Sequence, residues 1–446
     1  MKKLLFLLLL TGVSSSLFAQ TREQKLRELM ETYARLNKFN GSILVSQNGN
    51  ILLNQGYGFK NISDSLRNDS NTIFQVGSVT KQFTAAAILK LQEENKLNVL
   101  DKVSKYFPDF PKGDSITIEN LLTHTSGIFN YTNDPAFMQT EAVKPISEEK
   151  MIALFKDKPL DFSPGTQYSY SNSGYMLLGY IIQKVTKKPY EKAIRELIFK
   201  PLNMTSSGFD FTALKSINKA KGYFVISEKL NTEAPVVDST VAYAAGAIYS
   251  TTGDLHKWHK GLMLNQVIQK ASFEKAATPF KNNYGYGLSM DSVFGKRVIA
   301  HGGGIFGFTS NLARIPEDDV FIVMLNNYGN PNLGKLTRDV LAILYDQPYQ
   351  LPKAKKEITL SEEVLKKYTG TYELTPQFSI TFTVEHGHLF GVPTAQPKTQ
   401  LYAEKEDSFF LKVVEADIVF KKDKDGNVNE LVLTQGGRSQ VGKKVR

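Results

Sequence analysis

Ser78 and Lys81 stand three residues apart in the run F-Q-V-G-S-V-T-K-Q-F-T-A-A-A-I-L-K. A Gly-Ser turn follows a short apolar segment and opens an alanine-rich helix. The serine falls in the first turn of that helix. The spacing puts both side chains on one face. A hydroxyl beside an amine supplies the parts of a nucleophile and its base, which is the chemistry of a covalent serine hydrolase. Spacing alone does not single them out, because S-x-x-K occurs four times, at Ser78, Ser147, Ser216 and Ser272. Ser147 reads as a helix cap with two acids in the first turn. Ser216 and Ser272 lie in polar surroundings with no partner motifs. Only Ser78 is followed directly by an apolar helix that would bury the lysine stem.

The elements that must hold this pair can be read in chain order. Arg22 to Phe39 reads as a polar amphipathic helix. Two strand-like runs around Asn48-Gly49 then give a strong hairpin signal. After the Ser78 helix, which should end near Asn95, a loop-rich and helical middle extends from about Leu97 to Gly261. Strand texture returns from Tyr284: Y-G-Y-G-L-S-M, R-V-I-A-H, S-N-L-A-R-I-P and V-F-I-V-M-L-N-N. A helix from Leu333 to Tyr345 closes the region. Strands at both ends with helices between predict an α+β domain: one antiparallel sheet built from both termini, flanked by helices, with a helical subdomain inserted. The site would lie between sheet and helices.

The expected organisation is a signal segment over 1–19, a hydrolase domain over 20–350, a linker over 351–359 and a small barrel domain over 360–446. The signal reading rests on Lys2 and Lys3, the apolar run Leu4 to Leu10, and small residues up to Ala19. That run is too short to span a bilayer, so export with cleavage near Gln20, to the periplasm or beyond, is expected without stable membrane insertion afterwards. Removing the signal lowers the formal net charge from +10 to +8. Such a balance reads as scattered solvating charge. No basic cluster interleaves with aromatics, so nucleic-acid binding has no support. Cysteine is absent, which excludes disulfides, a thiol nucleophile and cysteine-ligated metal. Beyond the linker, short alternating segments argue for an all-β sandwich or barrel.

Further motifs converge on the same chemistry. Y-x-N appears at Tyr131, Tyr170 and Tyr328, and H-x-G at His259 and His301. Context selects Tyr170 to Asn172, a polar loop before the apolar helix G-Y-M-L-L-G-Y-I-I. It also selects His301 to Gly303, at the end of an apolar strand. With Ser78 and Lys81, these motifs resemble the active-site motifs of the serine β-lactamase and penicillin-binding protein superfamily. The resemblance is to its class C and esterase branch, where tyrosine replaces the serine of the second motif. L-L-T-H-T-S-G, S-P-G-T-Q-Y-S-Y-S-N, S-T-T-G-D-L and H-G-G-G-I-F-G-F are similar to that family as well. The resemblance runs from about Asn37 to Tyr345.

The resemblance implies a β-lactamase/transpeptidase-like fold and a role for each residue. Ser78 would be the nucleophile and Lys81 its base, which requires the amine's pKa to fall by about 3, equivalent to about 4 kcal/mol. Tyr170 would relay protons to the leaving group and help activate water. Asn172 would hold a substrate amide carbonyl. The backbone N–H groups of Ser78 and Gly304 would form the oxyanion hole, and Gly303 would let substrate lie close to its strand. The lactam-processing branches mostly carry lysine where this chain has His301. A histidine could still donate to Tyr170 or to a substrate carboxylate, but the change favours an esterase or a peptidase acting on D-amino-acid substrates. The partner is thus a small-molecule or peptide substrate, and no cofactor is implied. The alternative is a non-catalytic protein that binds cell-wall peptide in the same cleft. The C-terminal barrel resembles the lipocalin-like domains appended to some relatives, where it would shape access or mediate assembly.

Other residues have plainer readings. G-G-G-I-F-G matches a dinucleotide fingerprint, but a strand-like run follows where a helix should. His124 reads as a loop-fixing residue below the site. His256 and His259 lack a third metal ligand. His386 and His388 read as neighbours on one face of a strand. G-x-S-x-G is missing, which argues against the α/β-hydrolase design.

Overall fold

The computed structural model describes residues 20–446 apart from 227–230, 330–331, 395, 397, 413–415, 436–437 and 446. The segment read as an export signal lies outside the described residues.

Helix α1 (Arg22–Arg35) opens on a capping box between Thr21 and Gln24. Strands β1 (Gly41–Gln47) and β2 (Asn50–Tyr57) pair around the Asn48-Gly49 turn. Both turn residues have positive φ, 51° and 75°, as a tight two-residue hairpin demands. Ser78 lies in a short 3-10 turn, Gly77–Val79, that feeds helix α2 (Thr80–Glu93). Helices α3 (Asn172–Thr186), α4 (Ser239–Gly246) and α5 (Thr252–Met263) follow within the loop-rich middle. The sheet then resumes with β3 (Ser289–Val293), β4 (Lys296–Ile305), β5 (Phe308–Ile315) and β6 (Val320–Asn326), and helix α6 (Leu333–Leu344) ends the region.

The sheet order is β2-β1-β6-β5-β4-β3, antiparallel throughout. The first two strands therefore enter beside the last one, which makes this sheet a product of both ends of the domain. Its two faces bury different sets by strict alternation. On β6, Val320, Ile322 and Met324 face α1 and α6, whereas Phe321, Val323 and Leu325 face the core around α2. Helix α2 is covered on every side: each residue from Thr80 to Leu89 is buried. An alanine-rich, all-round apolar helix suits that central place, between the sheet and the helical lobe. Phe83 stacks on Trp258 of α5 with ring centroids 4.3 Å apart.

Two local expectations change. Tyr284 to Leu288 do not extend β3. Gly287 takes φ +66°, and a Cβ there would meet the Lys81 carbonyl oxygen at 2.6 Å, so this stretch is a close-packed turn against α2. His386 and His388 do not share a strand face. His386 and Gly387, at φ 50° and 75°, form the turn between two strands, because E-H-G-H carries its own tight-turn glycine.

Eight antiparallel strands between Gly370 and Lys444 close into a barrel. Tyr368, Tyr372, Phe382, Phe409 and Phe420 fill its interior. This cluster shares no member with the two cores of the larger region. The preceding linker lies along the barrel wall, with the Ile358 N–H donating to the Ala403 carbonyl at 2.8 Å. A polypeptide of residues 352–446 should therefore fold alone, with a cooperative thermal transition and a near-UV aromatic circular dichroism signal. A chain lacking both would show that the barrel needs the larger lobe.

Candidate active site

Two backbones touch beneath Ser78. Gly77 has φ +52°, and a Cβ on it would lie 2.8 Å from the Gly304 nitrogen. A Cβ on Gly303 would lie 2.1 Å from the Val76 carbonyl oxygen. The same carbonyl accepts the Ser310 hydroxyl at 2.8 Å. The expected role of Gly303 therefore changes: its missing side chain admits the Val76–Ser78 turn, not substrate. Gly304 differs, since a Cβ there meets nothing within 4 Å.

Register shows where the Gly304 amide points. Hydrogen-bonded and non-bonded pairs alternate along antiparallel strands. The two-residue turns that join β3 to β4 and β4 to β5 put even-numbered β4 residues in hydrogen-bonding register with β3 and odd-numbered ones with β5. Pairing with β3 stops at Ala300. Gly302 and Gly304 consequently turn their N–H and C=O groups to an open strand edge beside the Ser78 turn. Both Ser78 and Gly304 line a cavity of about 430 Å³.

Lys81 is fully buried, and its Nζ has three neighbours. Asn172 Oδ1 and the Ala245 carbonyl accept from it at 2.8 Å each, and Ser78 Oγ lies 3.2 Å away. No carboxylate is among these partners. Burial pushes the amine well below the ordinary lysine value. An uncharged amine has two N–H bonds and one lone pair. In that form the two carbonyl oxygens would take the N–H bonds and the lone pair would be free for the Ser78 hydroxyl proton. The rings of Tyr170 and Tyr175 flank the nitrogen at 4.9 and 5.2 Å.

The Ala245 carbonyl owes its direction to an unusual backbone. Tyr243, inside α4, has φ 36° and ψ −132°, which a non-glycine residue adopts only at a cost of about 1–3 kcal/mol. Its ring is held by Tyr180 and Tyr190, each at 4.9 Å between centroids. Gly179 makes the room, since a Cβ there would meet the Tyr243 ring at 2.5 Å. Thr84 of α2 bonds both the Tyr190 hydroxyl and the Ala244 carbonyl, so the strained segment is tied to the helix that bears Lys81.

Tyr170 hydrogen-bonds Ser78 as well, and burial raises its phenol above the usual tyrosine range, so it stays protonated. His124 fixes this loop: its Nδ1 accepts the Ser171 N–H at 3.2 Å, and its ring lies 4.2 Å from that of Tyr170. Asn172, first residue of α3, takes its backbone N–H to Asn130 and one side-chain N–H to Thr132. Its other amide hydrogen remains to face the cavity, which Asn172 also lines.

His301 departs from expectation. Its Nδ1 lies 2.6 Å from the Gly302 carbonyl and so carries the proton, and its Nε2 accepts the Tyr284 hydroxyl at 2.8 Å. Burial, with the nearby Lys81 as a lesser cause, pulls its pKa down to about 4. The ring is thus a neutral, fully engaged support for the strand edge. It is not turned to Tyr170 or to a substrate carboxylate. Sequence reasoning missed Tyr284, Thr132 and Ala245. Tyr284 had been read as a strand residue, Thr132 stands in the unselected Y-T-N, and Ala245 acts through its carbonyl, which no side-chain pattern reports. His256 and His259 pack against Phe321, bonding Ser46 and Asp319 respectively.

Two outcomes follow from this geometry. Gly303→Ala should destabilise the protein by about 2 kcal/mol, through overpacking against the Val76 carbonyl, and lower activity with it; chemical denaturation of both proteins checks this. Lys81 sits below its unfolded value of 10.5, so the folded protein binds fewer protons and gains stability as pH rises towards that value. The Tm difference between wild type and Lys81→Met should therefore move in favour of wild type from about pH 7 to pH 10. A pH-independent difference would mean that the folded amine is charged.

Known proteins resemble this chain over most of its length. The family model described as Beta-lactamase matches residues 23–347, and one described as a domain of unknown function matches 354–444. A penicillin-binding protein of Bacillus subtilis is 26% identical, over 95% of this chain and 99% of its own. The octameric penicillin-binding protein homologue from Pyrococcus abyssi superposes with a TM-score of 0.66 at 26% identity, covering 94% of this chain and 99% of its own. A D-stereospecific amidohydrolase from Streptomyces sp. gives 0.59 at 26% identity, over 69% of this chain and 93% of its own. With a buried lysine beside a turn-borne serine on the edge of this sheet, the chain belongs to the Beta-lactamase family, within the superfamily of serine β-lactamases and penicillin-binding proteins.

Proposed function

We propose that the protein is an exported serine hydrolase that works through an acyl-enzyme on Ser78, with an amide or ester as substrate. The observation that carries this reading is the surroundings of Lys81 Nζ, with two carbonyl oxygens for its N–H bonds and Ser78 Oγ opposite its lone pair. Ser78 Oγ attacks the acyl carbon while its proton passes to Lys81. The carbonyl oxygen, now negative, lies between the N–H groups of Ser78 and Gly304. As the bond to the leaving group breaks, Lys81 gives up the proton through the Tyr170 hydroxyl to the departing nitrogen or oxygen. Water then attacks the ester, losing a proton to the same pair, and Ser78 leaves with one. Asn172 holds Lys81 and offers an amide hydrogen to the acyl side. A protein that only bound peptide would have no use for a desolvated lysine of this kind.

Support for export is the Lys2-Lys3 start and the apolar run after it. Among the described residues no helix is long and apolar enough to cross a membrane.

A fluorophosphonate probe should label Ser78, and Ser78→Ala should abolish both labelling and p-nitrophenyl acetate hydrolysis. Tyr170→Phe should lower kcat about 100-fold while leaving the fold intact. Labelling at another residue, or full turnover by Ser78→Ala, would overturn the reading.

A further inference from the structure

The cavity beside Ser78 has an unusual lining for a site that would grip a charged peptide end. Among the described residues that line it there is no Asp, Glu, Lys, Arg or His. Its walls are Met138, Val237 and Val241 on one side and Ile305, Phe306 and Phe224 on the other. Phe224 is 42% exposed at the rim, and its ring meets that of Phe306 edge-on at 5.7 Å. Tyr131 reaches the cavity too, but its hydroxyl is committed to the Val241 carbonyl at 2.7 Å. Lys81 does not line the cavity and its Nζ is committed to Ser78, Asn172 and Ala245, and both ring nitrogens of His301 are engaged within the protein.

The cavity also has a definite side. Asn172 and Gly304 line it, whereas Tyr170, which faces the leaving group in the mechanism above, does not. The acyl part of the substrate is therefore the part that enters. A carboxylate or ammonium there would lose its water and gain no counter-charge, and burying an unpaired ion is heavily disfavoured. At about 430 Å³ the cavity has room for an aryl ring or a branched alkyl chain.

We propose that the acyl group taken by this site is uncharged and apolar, so that the enzyme acts on neutral acyl esters or amides and discriminates against acyl groups bearing a free amine or carboxylate. Phe224 and Phe306 set how much apolar acyl group is accommodated. The proposal rests on the Ser78 acyl-enzyme reading and narrows its substrate.

The test is a set of matched p-nitrophenyl esters, run on the whole mature protein at about pH 6. The 3-phenylpropanoate is paired with the D-phenylalanine ester, which has the same frame plus an ammonium. The butyrate is paired with the hemisuccinate, of similar length with a carboxylate. In each pair the neutral ester should have a kcat/KM about tenfold higher or more. Phe224→Ala and Phe306→Ala should each lower the ratio of 3-phenylpropanoate to acetate turnover about fivefold. Equal or better turnover of the charged esters, with Ser78 still labelled by fluorophosphonate, overturns this inference alone. An unchanged acyl-length ratio in both variants overturns the role of the two phenylalanines. No turnover together with an unlabelled Ser78 overturns this inference and the acyl-enzyme reading at once.

Discussion

An amine stripped of water and given no carboxylate is the constraint on which the rest of this structure depends. One acidic neighbour would favour the protonated form of Lys81, which would then be a structural cation. Instead, two carbonyl oxygens satisfy its N–H bonds without stabilising a full positive charge as an anion would. The surrounding architecture serves that condition. Helix α2 is sheathed on all sides, so the lysine stem never meets solvent. The aromatic rings of Tyr170 and Tyr175 close the remaining approach.

A second condition is positional. The nucleophile's turn comes from one end of the chain and the strand edge beside it from the other. Their separation is fixed by contact between main chains, made possible by Gly77 and Gly303. The sheet order, which brings the early hairpin beside the last strand, joins the two ends of this region in one layer. Hydrogen-bond alternation along β4 then decides which amides remain for a ligand. Geometry of this kind follows from register and needs no dedicated side chain.

Much of this was legible in the sequence because it is carried by local patterns. The Asn48-Gly49 turn announces its hairpin, and the unbroken apolar run of β6 announces a strand covered on both faces. Ser78, Lys81, Tyr170 and Asn172 could be selected because each stands where an apolar helix begins. The structure brings these four together around one nitrogen and one oxygen. What stayed hidden depends on contacts between distant segments. The engagement of His301 is set by Tyr284, whose stretch reads as a strand but turns at Gly287. Gly303 looked like space for a ligand and is space for Val76. The value of Ala245 lies in its carbonyl direction, which the one-letter code does not record. The barrel was visible as an all-β texture, though the tight turn at His386 disguised itself as part of a strand.

The backbone at Tyr243 links chemistry to packing over a distance. Its torsion angles are ones that the peptide chain would abandon if released, and the stack of Tyr180 and Tyr190, with the Thr84 bond to the Ala244 carbonyl, retains them. Were that stack to loosen, the segment could relax, the Ala245 oxygen would swing away and the amine would lose one of its two anchors. The placement of the buried amine is thus tied to the fit of three phenols that do not line the cavity.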